Sequence, residues 1–174
     1  MSRIEIRKAA RSDAALAWEL RKQATQAQCL QAYPQALIAA WTMGEQGEDW
    51  ADSVERDFYL AVDGDAVLAT GMLNRESARI EAVFVHPEHM RQGIGRQMMA
   101  FLETQARASG LHQITLEATL NAVPFYRSCG FAGECAAICQ SARIMPMDCM
   151  IMSKCLDDTP ASGGRCAEKP IHHA

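Results

Sequence analysis

The sequence predicts a mixed α/β domain whose central sheet is mostly antiparallel and flanked by helices. Three observations carry that reading. Runs that alternate apolar and charged residues stand beside runs with helical spacing. An Asp63-Gly64 step joins two strand-like runs, a strong short hairpin signal. A glycine-bearing turn, HPEHMRQGIG (86–95), hands one apolar run over to an amphipathic one.

In chain order, 3–7 alternates Ile4 and Ile6 with charge and reads as a short strand. Ser12 and Asp13 offer an N-cap for a helix running to about Gln26, with Leu16 and Leu20 one turn apart. A second helix starts near Pro34, a favoured first-turn residue, and carries Leu37, Ile38 and Trp41. The stretch 42–55 is polar, with Trp50 as its only large anchor. FYLAV, VLATGML and RIEAVFV then form three consecutive antiparallel strands, separated by DGDA and NRES. A helix follows from about Gly95 to Gly110, then a strand QITLEA (113–118) and a short helix from about Asn121. Two last strand-like runs lie near 133–140 and 147–154. Residues 1–156 are expected to form one domain. The remainder, 157–174, has Gly, Pro and Ser without apolar periodicity and reads as a disordered tail containing His172 and His173.

Composition narrows the class of function. With 174 residues, 49% hydrophobic and 22% charged, the chain suits one soluble globular domain. A formal net charge of −4 argues against a general nucleic-acid or anionic-membrane binder. No apolar run approaches the roughly 18–20 residues of a membrane span. The opening MSRIEIRKAARSD lacks the apolar middle of a signal peptide, so a cytoplasmic setting is expected. The seven cysteines are odd in number and include no CxxC pair. Cys135 and Cys139, or Cys149 and Cys155, have no histidine pair beside them at zinc spacing, so reduced thiols and no metal site are expected.

The turn at 86–95 is the candidate functional motif. The first amides of a helix have no intrahelical partner, and the helix dipole places partial positive charge there. Glycine lets backbone approach an oxyanion without a Cβ in the way. Amides around Gln92, Gly93, Ile94, Gly95 and Arg96 suit an anion, with Arg91 and Arg96 adding charge. The same glycines also serve a plain strand–helix turn. No GK[ST] follows, which excludes a Walker A loop, and Met98 replaces the third glycine of the dinucleotide fingerprint.

A second motif decides between these readings. VxP-x(5)-GxG (Val85, Pro87, Gly93, Gly95) closes the fourth strand, and NAxxFYxxxGF (Asn121, Ala122, Phe125, Tyr126, Gly130, Phe131) follows the fifth. With the order β-α-α-β-β-β-α-β-α-β-β, this resembles the GNAT superfamily of acetyl-CoA-dependent N-acetyltransferases. The resemblance covers about residues 3–156. It implies a sheet splayed between its fourth and fifth strands and acetyl-CoA as cosubstrate. Backbone of Val83, Phe84 and Val85 would hold the pantetheine arm, the loop would hold the pyrophosphate, and Asn121 would bond the pantetheine. The family's loop, [RQ]xxGx[GA], spans 90–95 here and begins with Met90, which removes one polar side chain but no backbone donor.

The resemblance also implies chemistry. An alkylammonium of pKa about 10.4 is neutral in roughly one molecule per thousand near pH 7, so the acceptor must lose a proton. Tyr126 is the implied general acid to the departing thiolate; a packed aromatic is the alternative. Glu81, on the strand before the loop and on the same face as Val83, is the implied base or water relay, with Glu117 its rival. His86 and His89 flank the loop and are read as solvated. Tyr33, Trp41 and Trp50 suit either an aromatic acceptor wall or core, and Glu45, Glu48 and Asp49 suit either a cationic amine or solvent. The expected partner is a small-molecule amine, with a homodimer possible in this superfamily. A weak acyl-CoA-binding module, or a protein N-terminal or lysine acetyltransferase, is the competing function.

Overall fold

The computed structural model describes residues 4–139 and 147–157. The expected tail, with His172 and His173, lies outside the described residues apart from Asp157, and so does Gln140. Strand β1 (Glu5–Lys8) leads into α1 (Ala14–Cys29), α2 (Gln35–Thr42) and α3 (Glu48–Asp57). The meander β2 (Phe58–Asp63), β3 (Ala66–Asn74) and β4 (Arg79–Val85) follows. After it come α4 (Ile94–Ala108), β5 (Gln113–Thr119), α5 (Val123–Ser128), β6 (Ala132–Cys139) and β7 (Met147–Cys155). The seven strands form one sheet in the order β1-β2-β3-β4-β5-β7-β6.

Helix α3 was not expected from the sequence and adds a third helix before the meander. Its inward face is short, Trp50, Ala51 and Val54, and the surrounding acidic residues hide it. Trp50 pins it: the indole N–H donates to Ala14 O at 2.9 Å, and the ring meets Trp18 and Phe58 edge-on, with centroids 5.0 and 5.3 Å away. Trp50 is therefore core, not a pocket wall. Helix α1 also departs in detail. Its inward face is Ala14, Ala17, Leu20 and Ala24, whereas Leu16 is exposed. Asp13 stands at its N-cap position but turns its carboxylate back onto Ala10 N–H, at 2.8 Å, and onto both guanidinium ends of Arg7. That bidentate bond to Arg7 holds the Asp13 carboxyl below its ordinary range. Pro34 sits at the N-cap of α2 rather than in its first turn.

The sheet buries both faces, as strand periodicity requires. Tyr59 and Ala61 of β2 point to the layer containing Met98, Met99 and Leu102 of α4. Phe58 and Leu60 point to the layer containing Ala17 and Val54. A third cluster, including Cys29, Tyr33, Ile38, Cys149 and Met147, ties the α1–α2 corner to the β6–β7 pair. Tyr33 fastens that corner: its hydroxyl donates to Asp148 O at 2.6 Å and accepts from Leu120 N at 2.9 Å. It is a structural pin.

The feature that positions the site is the middle of the sheet. Strands β4 and β5 run parallel, and their only paired residues are Arg79 and Thr115. Beyond that pair they part. On its other side β4 pairs with β3 as far as Val85, with one register shift that leaves Glu81 without an opposite residue. Backbone groups of β4 on the β5 side beyond that pair have no strand partner among the described residues.

Candidate active site

The loop between β4 and α4 is built to turn sharply. His86 N donates to Leu68 O at 2.8 Å, and Pro87–His89 form one 3-10 turn. Arg91 (φ +60°) and Gly93 (φ +83°) then take left-handed backbone, which starts α4 at Ile94. The first bond of that helix runs from Gln97 N to Gly93 O at 3.0 Å, so the amides of Ile94, Gly95 and Arg96 face out of the helix end without a carbonyl of their own. Gly95 is needed for closeness, since a Cβ there would lie 3.2 Å from Phe125 Cζ and 3.4 Å from Val85 Cγ2.

These amides border a groove of about 940 Å³ between the loop, the C-terminal half of α1, and α5. Val83, Val85, Arg91, Gly93, Gly95 and Arg96 line it, as do Asn121 and Tyr126. Three expected residues differ. Phe84 lines a neighbouring cavity instead. Ile94 is buried and serves through its main chain, its side chain anchoring α4. Gln92 is exposed and donates to Glu88 O at 3.1 Å. Arg96 lines the groove while its guanidinium donates to Ser128 O and Oγ at 3.2 and 3.1 Å, joining the loop to α5. The opposite wall, Ala27, Gln28 and Gln31, was not anticipated. Small and amide side chains at the end of a helix carry no signature, although Gln28 lies 3.3 Å from Met90 Sδ across the groove.

The groove leads to a second cavity of about 100 Å³ where β4 and β5 part. Gln28, Val83, Asn121, Ala122 and Tyr126 line both and form the throat. Asn121 lies in a 3-10 turn, and Ala122, not Asn121, is the N-cap of α5. Asn121 Oδ1 is buried without a hydrogen-bond partner among the described residues. An acceptor left this way costs roughly 1–3 kcal/mol unless a donor arrives. Tyr126 is 9% exposed, its ring edge-on to Phe125 and Phe131, and burial pushes its hydroxyl well above the ordinary phenol range.

Glu81 and Glu117 line the small cavity together with Trp41. One arginine serves both carboxylates: Arg79 Nη2 lies 2.6 Å from Glu117 and Arg79 Nε 3.6 Å from Glu81. Glu117 also accepts from the Cys139 thiol at 2.8 Å. Burial raises the Glu81 carboxyl above its usual value; Arg79 opposes this, and Glu117 adds to it. Of the three aromatics considered for an acceptor wall, Trp41 alone lines this cavity. Glu48 is bound to Arg11, away from the cavity. His86 and His89 line neither space; His86 Nδ1 accepts from Glu88 N at 3.3 Å.

The family profile described as "Acetyltransferase (GNAT) domain" matches residues 22–149. The chain belongs to the GNAT family of acetyltransferases. Solved GNAT structures share its fold. A GCN5-related N-acetyltransferase from Rhodopseudomonas palustris superposes with a TM-score of 0.80 at 20% identity, covering 89% of this chain and 97% of the other. The PaiA N-acetyltransferase of Thermoplasma acidophilum, solved in complex with coenzyme A, gives 0.70 at 19% identity, covering 88% and 99%. YncA of Salmonella typhimurium, a putative acetyltransferase solved with acetyl-CoA, gives 0.67 at 20% identity, covering 94% and 100%. At these identities the likeness speaks to the GNAT fold. No helix among the described residues is long and apolar enough to cross a membrane.

Proposed function

We propose that this GNAT chain transfers an acetyl group from acetyl-CoA to a primary amine of a small molecule, both substrates being bound together, with residues 1–156 as the catalytic unit. The observation that supports this best is the throat: an unpartnered Asn121 Oδ1 and the buried Tyr126 side chain stand where the large groove meets the small cavity. A linear amide-bearing arm fits that path. Its amide N–H would satisfy Asn121, and the unpaired edge of β4 at Val83–Val85 would pair with it like an added strand. Amides of Gly93–Arg96 and the side chain of Arg91 suit a pyrophosphate at the far end.

Acetyl-CoA supplies a thioester carbonyl open to attack by an amine. The protein's residues manage two protons. Glu81 takes one from the acceptor ammonium, directly or through water, as the C–N bond forms. Tyr126, kept protonated by burial, gives one to the sulfur as the C–S bond breaks, and the second proton lost by the amide nitrogen restores the phenol, leaving the proton on Glu81 to pass to water. Holding both reactants at the throat contributes further through proximity.

The test is calorimetric titration of the full chain with coenzyme A and acetyl-CoA, followed by thiol release with a panel of small amines, peptides with free N-termini and lysine peptides. Binding with release driven by small amines is expected. Release driven only by peptides would assign a protein acceptor, and binding without turnover would assign an acyl-CoA-binding module. Absence of binding would overturn the reading.

A further inference from the structure

The small cavity is also lined by a set of side chains to which the proposed reaction, with Glu81 as base, gives no role. Glu117, Cys139 and Cys149 come from three different strands, and their ligand atoms lie within 4.8 Å of one another. Both thiols are buried, and both line the small cavity with Glu117. We propose that Glu117, Cys139 and Cys149 form a binding site for a soft divalent cation of the zinc type, with a fourth position open to the cavity.

Three features support this set. The donors suit the ion, because thiolate sulfur with one carboxylate oxygen is a zinc-type combination rather than one for calcium or magnesium. The carboxylate is already oriented: Arg79 holds Oε1, and Oε2 faces the Cys139 sulfur. Metal-bound carboxylates are commonly steered by such an outer partner. The charges also close. A divalent cation offsets the two thiolates, while Arg79, which Glu81 shares, offsets the Glu117 carboxylate, so little buried charge is left without a counterpart nearby. Burial pushes the Cys149 thiol up to about 12, so without an ion it keeps its proton. On binding, each metal–sulfur bond replaces an S–H bond and both protons leave to water, with no change of oxidation state.

The site is independent of the acetyl-transfer reading. The test uses the full reduced chain with Co²⁺ as a spectroscopic probe and Zn²⁺ in competition with a chromophoric chelator. One ion per chain is expected, with thiolate-to-cobalt charge-transfer absorption and proton release. Cys139→Ser, Cys149→Ser and Glu117→Gln should each weaken Zn²⁺ binding by at least about tenfold. Cys135→Ser and Cys155→Ser, on exposed positions, should leave it unchanged. Circular dichroism checks that each variant is folded; if a serine variant is not, Glu117→Gln, which keeps both thiols, decides. Affinity unchanged in Glu117→Gln and in the folded serine variants, or cobalt bound without the sulfur band, would overturn the proposal.

Discussion

In the proposed reaction Tyr126, at the throat, and Glu81, in the small cavity beyond it, meet opposite requirements. The phenol must keep its proton until sulfur leaves, and the carboxylate must be free to take one. Burial raises both groups, which serves Tyr126 and limits Glu81. With Glu81 as the proposed base, the form that works is the ionised one, so kcat/KM should climb with pH through a value above the ordinary carboxylate's 4.5. That limb is separate from the acceptor's own deprotonation near pKa about 10.4. Glu81→Gln should abolish the lower limb and slow transfer by roughly 10²–10⁴-fold, with coenzyme A affinity unchanged. Tyr126→Phe should slow the chemical step over the same approximate range, again with little change in binding. Persistence of the lower limb in Glu81→Gln would move the base to Glu117. Tyr126, Asn121 and the loop glycines were legible because short motifs fix their spacing. The wall formed by Ala27, Gln28 and Gln31 was not, since ordinary helix-surface residues acquire a role only from what the chain brings opposite them.

The close docking of α4 on the sheet fixes where its N-terminal amides sit. Gly71 of β3 allows that docking: a Cβ there would lie 2.7 Å from Met98 Sδ and 3.0 Å from Leu102 Cδ1. Gly71→Ala should therefore cost roughly 1–3 kcal/mol by overpacking, read from urea denaturation midpoints. A cost within a few tenths of a kcal/mol would mean that Met98 swings aside freely. Element by element, the strands were legible through alternation and the Asp63-Gly64 hairpin signal, although the register pairs Asp63 with Ala66 and puts the two-residue turn at Gly64 and Asp65. Helix α3 was not, because three inward residues around Trp50 give too narrow an apolar stripe to show period among charges. The grouping of Cys139 and Cys149 with Glu117 was equally hidden: spacing along the chain does not reveal ligands on different strands.

For the molecule as a whole, the sheet serves as a wedge. Strands β1–β4 form one arm and β5, β7 and β6 the other, hinged at Arg79 and Thr115. The small cavity opens where the arms part, and the large groove continues from it past the end of β4. The wedge was legible only through the GNAT resemblance, since a helix crossover makes the fourth and fifth strands parallel but does not by itself part them. The chemistry at its mouth, shared by Arg79 among two carboxylates, depended on side-chain placement and was not. The decisive measurement is amide hydrogen exchange of the full chain with and without saturating coenzyme A. Slowed exchange at Ile94–Arg96, with added protection along Val83–Val85, is the expected result. Unchanged exchange at those amides while other regions become protected would mean that the turn into α4 does not grip the diphosphate.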